Sequence, residues 1–217
     1  MKQTQKCASF YTKGEEIFNA VTHGIGSVLA LMGTGALLAL SNRHTWLIYL
    51  IYGFSLVILY TMSTLYHSFP TEKVKRVFRV FDHASIFLLI AGSYTPFTLV
   101  LLGNTAKGPI ICTIVWVTAI LGIVLNAFSV DKFAKFSMLL YVAMGWAVVF
   151  AIGDVVRALP PAGFWLLLFG GISYTCGIIF YAWHRKYMHG IWHLFVLTGS
   201  VLHYLCILFY VVPVGNI

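Results

Sequence analysis

The chain has 217 residues, of which 60% are hydrophobic and 9% are charged, and its formal net charge is +8. A soluble domain carries about 25% charged residues, so this composition excludes an ordinary water-soluble domain and predicts a polytopic membrane protein. No basic stretch has the length or the interleaved aromatic residues of a nucleic-acid-binding face, so we expect no nucleic-acid partner.

Seven apolar runs are long enough to cross a bilayer, which requires roughly 20 residues. They predict an all-α, seven-transmembrane-helix bundle that forms a single domain over residues 1–217, with the fifth helix the shortest. The runs are 17–40, 46–69, 81–103, 109–128, 135–152, 163–183 and 191–212. Pro96 predicts a kink in the third helix. Glycines inside the runs predict close contacts between helices, at Gly53, Gly92, Gly122, Gly145, Gly170 and Gly171.

Lysine and arginine are distributed unequally between the two sides of the predicted bundle. One side, formed by the N-terminal segment and the second, fourth and sixth loops, holds 11 of the 14 basic residues. These are Lys2, Lys6, Lys13, Lys73, Lys75, Arg76, Arg79, Lys132, Lys135, Arg185 and Lys186. The positive-inside rule then predicts a cytoplasmic N-terminus and a C-terminus outside. A rhodopsin-like receptor has the opposite orientation, so seven helices alone do not indicate that class.

Three histidines lie at the ends of apolar runs, on the predicted cytoplasmic side. His67 closes the second run, and His189 and His193 open the last one at a spacing of i,i+4, which places both on one helix face. Three protein nitrogens and an open fourth position are typical of a catalytic zinc site, where the pKa of a water is lowered to about 7. Two alternatives stay open, an interfacial role for His67 and a loop position near lipid headgroups for His189.

Other polar residues are predicted on the same face. Asp82 is a candidate general acid/base, although it could instead cap the third helix. Ser63 lies one turn from His67 and is a candidate to hold water or an oxyanion, or it could bond to its own helix. Glu16, Asn19 and His23 open the first helix and are candidates to support the ligands.

The ordered set of these motifs resembles the hemolysin III family of bacterial membrane proteins, within the progestin and adipoQ receptor superfamily. The set comprises Glu16-xx-Asn19-xx-Thr22-His23, Ser63-xxx-His67, Asp82 and His189-xxx-His193. The resemblance implies a bacterial inner-membrane location and a zinc ion held by His67, His189 and His193 near the cytoplasmic side. It also implies that Ser63 and Asp82 act on water or substrate, and a relation to alkaline ceramidases, which are suspected metal-dependent lipid hydrolases.

The favoured function is therefore a Zn²⁺-dependent hydrolase of lipid amide or ester bonds near the inner leaflet, with a membrane lipid as substrate or ligand. Two alternatives remain. One is a cytolytic or pore-forming activity, and the other is a membrane sensor or receptor in which the zinc is structural. The chain lacks the long N-terminal cytoplasmic domain of the animal receptors, which argues against a hormone-receptor role.

Overall fold

Seven helices in the described part of the chain are long and apolar enough to cross a membrane. The computed structural model describes residues 11–183 and 185–216, so Lys2 and Lys6 lie outside it. The helices are α1 (Lys13–Leu40), α2 (Trp46–Ser68), α3 (Glu72–Leu101), α4 (Lys107–Phe128), α5 (Val130–Ala158), α6 (Pro161–Ala182) and α7 (Met188–Gly215). The described residues contain no strand, and the predicted all-α, seven-helix fold is confirmed.

The third helix begins earlier than predicted. The apolar run indicated a start at 81, but α3 begins at Glu72. The residues between carry four of the basic side chains assigned above to the second loop, which are Lys73, Lys75, Arg76 and Arg79. Charged residues can continue a helix beyond the apolar core of a membrane, and a criterion based on apolar length does not detect them. The second loop is therefore short, and these four side chains project from a helix.

The fifth helix was also predicted too short. Instead of 135–152, the span α5 covers Val130–Ala158. It consists of an α-helix over Val130–Gly145, a 3₁₀ turn over Ala147–Ala151 and a further α-helix over Ile152–Ala158. Charged residues at both ends hid its true length from the hydropathy pattern.

The helix disturbance expected at Pro96 is present as a change in hydrogen-bond register. Residues Phe97–Leu101 form a π-helical turn, and the Leu102 N–H donates to the Phe97 carbonyl at 2.9 Å. Proline has no N–H to donate, so the regular ladder is interrupted at this point and resumes with a wider turn. A second π-helical turn, Ile207–Val211, lies near the end of α7.

Glycines allow close packing at some of the predicted positions but not at all of them. A Cβ would collide with Ser55 at Gly92 and with Phe87 at Gly122, and the same holds for Gly53 against Thr34 and Gly170 against His203. At Gly145 and Gly171 a Cβ would meet nothing within 4 Å, so the prediction is wrong there. Both line an internal cavity, and a sequence does not distinguish a helix face that meets a cavity from one that meets another helix.

The ends of four helices meet at one end of the bundle. The first turn of α1 contacts the segment before α7, because the Glu15 carboxylate accepts the backbone N–H of Tyr187 at 2.9 Å. The last turn of α2 contacts α1 through His67 and Glu16. The first turns of α3 contact α1 through Lys75 and Glu16. This convergence positions the histidines.

Candidate metal centre

Three histidines form a compact group at this end of the bundle. His67 lies in the last turn of α2, and His189 and His193 lie in the first turns of α7. One potential ligand atom from each residue lies within 4.8 Å of the other two. His67 and His193 are buried and His189 is half-buried. Because α7 already begins at Met188, the i,i+4 pair is helical, as the sequence argument required.

The Glu16 carboxylate orients the His67 ring. His67 Nδ1 lies 2.6 Å from Glu16 Oε2, and a carboxylate accepts hydrogen bonds. Nδ1 therefore carries the proton, and the lone pair is on Nε2, which is buried and has no hydrogen-bond partner among the described residues. A carboxylate behind a histidine is the usual support of a metal ligand. The Asn19 amide also lies beside Nδ1, at 3.5 Å.

The His193 ring is oriented from α1 as well. Thr22 Oγ1 lies 3.4 Å from His193 Nδ1, and its own proton is directed at the Phe18 and Asn19 carbonyls, each 3.0 Å away. The hydroxyl therefore accepts from Nδ1–H, which leaves the lone pair on His193 Nε2. The His23 ring stacks on His193 with centroids 3.5 Å apart and limits its rotation.

The Nε2 atoms of His189 and His193 have a separation close to that of two ligands of one metal ion. His189 Nε2 lies 3.1 Å from His193 Nε2, and two lone pairs at this distance repel unless a proton or a cation lies between them. Zn–N bonds of 2.0–2.1 Å in a tetrahedron separate two ligand nitrogens by about 3.3 Å. His67 Nε2, which has no hydrogen-bond partner among the described residues, is the third potential ligand nitrogen. The group could therefore hold a metal ion, and its donors suit zinc among other transition metals.

Tyr11 covers the group from the N-terminal side and was missed by sequence reasoning. Its ring centroid lies 4.9 Å from that of His189 and 5.6 Å from that of His67. Burial raises the pKa of Tyr11, and nearby groups that include Asp82 raise it further. An aromatic residue in a polar segment gave no signal of this role. Thr22 was part of the recognised motif, but its contact with His193 was not anticipated.

Ser63 and Asp82 lie outside the three-histidine group. Ser63 is fully buried one turn before His67 on α2, and its hydroxyl has no hydrogen-bond partner among the described residues. Asp82 is 5% exposed and lines an internal cavity together with His23 and Trp192. The structure brings Glu16, Asn19 and His23 close to rings of the histidine group and places Asp82 at the cavity wall.

The cavity extends from this end of the bundle into the membrane interior. About 1060 Å³ of space free of protein atoms, including space open to the surroundings, lies between walls that come mainly from α3, α5, α6 and α7. Asp82 and Tyr94 both line it, and they are 12 positions apart on α3, which corresponds to about 18 Å along the helix axis. His203 lines the deep part, where its Nε2 lies 3.1 Å from the Leu167 carbonyl.

The fold and the site together define a seven-helix membrane protein with a buried three-histidine group that could hold a metal ion. The family model described as "Haemolysin-III related" matches residues 11–204. The chain therefore belongs to the haemolysin-III family, which confirms the resemblance, and it is a multi-pass bacterial membrane protein.

Curated relatives agree with this assignment. "Hemolysin-3" of Bacillus cereus is 43% identical over 210 residues, which cover 93% of this chain and 94% of the relative. "Hemolysin-3 homolog" of Bacillus subtilis (strain 168) is 42% identical over 209 residues, which cover 94% and 98%. The chain is also similar to "Monocyte to macrophage differentiation factor" of Homo sapiens, at 28% identity over 208 residues, which cover 89% and 83%.

Proposed function

We propose that the protein is a zinc-dependent hydrolase of lipid amide or ester bonds near the inner leaflet. The observation that carries the proposal is the position of a buried carboxylate, Asp82, on the wall of an apolar cavity at the end of the bundle that holds the histidine group. A metal-dependent hydrolase needs a Lewis acid, a proton acceptor and a place for its substrate. The candidates for these parts are a metal ion on the histidine group, Asp82 and the cavity.

The residues have distinct roles in this proposal. His67, His189 and His193 hold Zn²⁺, which when bound supplies Lewis acidity and makes a water easier to deprotonate. Asp82 accepts a proton from the attacking water and returns it to the leaving group, as a general base and then acid. The Ser63 hydroxyl donates a hydrogen bond to the water or the developing oxyanion. The absence of a hydrogen-bond partner for this hydroxyl among the described residues supports the role.

The cavity supports a lipid as the substrate. Its walls are mostly apolar side chains such as Leu89, Ile90 and Val196, which suit a hydrocarbon chain. An acyl chain in the cavity would leave its amide or ester group at the end that holds Asp82.

The experiment is a measurement of fatty acid released from ceramide-like and phospholipid substrates by purified protein in nanodiscs. Wild type is expected to release product, whereas His193→Ala and Asp82→Asn are not. His44→Ala, a change at an exposed histidine in the loop before α2, serves as the control and should match wild type. Equal turnover by wild type and His193→Ala would refute the proposal. A protein that loses thermal stability without metal but never turns over lipid would instead support the sensor with a structural zinc.

A second candidate function, cytolysis, is favoured by the names of the two Bacillus relatives. A secreted pore former must first be soluble in water, and seven apolar spans argue against this for the present chain. A liposome leakage assay separates the two functions. Leakage that disappears in Ser63→Ala and Asp82→Ala would follow from hydrolysis, whereas leakage that persists without the histidine group would support a pore.

A further inference from the structure

Lys75 is the basic residue of the α3 first turns that reaches the metal centre. Its Nζ forms an ion pair with Glu16 Oε1 at 2.7 Å and donates to the Tyr66 carbonyl at 3.0 Å. It also lies 4.9 Å from the centroid of the Tyr66 ring. The side chains of Lys75 and Glu16 are 21% and 15% exposed, so water competes for this pair far less than for a surface ion pair.

Within residues 11–183 and 185–216, the neighbouring basic residues make no such contacts. Lys73 and Arg76 are exposed, and Arg79 pairs with Asp131 on α5. Membrane topology accounts for the charge of all four residues, but it does not account for the placement of one of them against the half-buried carboxylate of Glu16. Lys75 thus has a contact that the positive-inside rule does not require.

Glu16 divides its two oxygens between two partners. Oε1 forms the ion pair with Lys75, and Oε2 accepts the hydrogen bond from Nδ1 of His67. A carboxylate held at one oxygen cannot rotate without losing that contact, so Lys75 fixes the plane in which Glu16 meets His67. A glutamate with an unheld second oxygen would sample other rotamers and support the ring for less of the time.

We propose that Lys75 is a positioning residue of the metal centre, which acts through Glu16 to keep the lone pair of His67 Nε2 directed at the metal. The inference rests on the proposed metal site and adds a residue from α3 to it. Three helices then contribute to the orientation of one ligand: α2 carries His67, α1 carries Glu16 and α3 carries Lys75. Metal affinity should therefore depend more on the positive charge at position 75 than on the size of its side chain.

The test measures metal affinity, by competition of purified protein in nanodiscs with a chromophoric chelator for Zn²⁺ and by Co²⁺ absorption. Lys75→Met is expected to weaken binding about tenfold, the lower end of the range for changes behind a metal ligand. Lys75→Arg should recover most of the affinity because it restores the charge. Lys73→Met is the matched control, because Lys73 lies two positions before Lys75 and is exposed. It should bind metal as wild type does.

A double-mutant cycle separates positioning from a merely structural role. If Lys75 acts through Glu16, Lys75→Met will change affinity less than about twofold in a Glu16→Gln background. A structural role at the end of α2 would lower thermal stability equally in both backgrounds. Lys75→Gln, which keeps a donor for the Tyr66 carbonyl, provides a second variant if Lys75→Met does not fold.

Two results would overturn the inference. One is wild-type metal affinity in Lys75→Met and Lys75→Gln, and the other is an undiminished loss in the Glu16→Gln background. Both leave the proposed metal site intact, because the wild-type protein still binds metal in them. A wild-type protein that takes up neither Zn²⁺ nor Co²⁺ would instead overturn the metal site, and with it the role of Lys75.

Discussion

Glu15 and Tyr187 are 172 positions apart, and the carboxylate of one accepts the backbone N–H of the other at 2.9 Å. Tyr187 has φ 63°, and it is the only non-glycine residue with positive φ in the described part of the chain. Such a backbone costs about 1–2 kcal/mol. Since α7 begins at the next residue, Met188, the Glu15 contact stabilises the turn that sets the position of His189.

Glu15→Ala should therefore destabilise the protein and weaken metal binding together. We expect a loss of about 1–3 kcal/mol, because a hydrogen bond to a charged group is lost along with the capping of α1 by Thr12 and Glu15. Thermal unfolding in nanodiscs and a Co²⁺ titration measure the two effects. Glu72→Ala, at an exposed glutamate in the first turn of α3, should change neither, and an unchanged Glu15→Ala would contradict the role of this contact.

Removal of a ligand imidazole should remove the metal. His67→Ala and His193→Ala are each expected to retain less than about a tenth of the wild-type metal content, because two nitrogens from the protein hold zinc poorly compared with three. Elemental analysis of purified protein measures the content. His44→Ala is the control, and metal retention in both ligand variants would show that the metal lies elsewhere.

Close contact between α3 and α4 predicts different outcomes for two glycine substitutions of the same kind. Gly122→Ala places a Cβ against the Phe87 ring, and overpacking of this kind costs about 1–3 kcal/mol. Gly145→Ala places a Cβ in open space and should leave stability unchanged or slightly higher. Melting temperatures of the two variants test the contact, and equal values would contradict it.

The charge bias predicts the orientation of the protein, which a bundle without a membrane does not reveal. Fusion of alkaline phosphatase to the C-terminus should give an active enzyme, because the C-terminus is expected outside, where its disulfides form. Fusion of a green fluorescent protein at the same position should give little fluorescence. The reverse pattern would place the histidine group on the outer side and exclude hydrolysis at the inner leaflet.

Most of the fold was accessible from hydropathy, because a bilayer imposes a minimum length of apolar residues on every crossing helix. The errors at α3 and α5 share one cause. Both helices continue through charged residues, such as Arg79 and Asp154, that lie beyond the apolar run. A prediction based on the length of apolar runs cannot detect helical turns that extend beyond the apolar core of the membrane.

The candidate site was accessible only in part. His189 and His193 could be paired by spacing, and the charge bias placed His67 on the same side. No spacing rule connects Tyr11 to these rings, or Lys75 to Glu16, because those contacts depend on how α1 and α3 pack. Thr22 illustrates the same limit, since its bond to His193 joins residues 171 positions apart.

The width of the cavity in its deep part depends on two positions that carry no side chain. Gly145 and Gly171 face it from α5 and α6, and a Cβ at either would touch no other atom. The depth available to a hydrocarbon chain is thus set far from the histidines, by positions that tolerate larger residues. A single substitution by a larger residue there would shorten the part of the cavity that a hydrocarbon chain can occupy. The histidine group and Asp82 at the other end would stay unchanged.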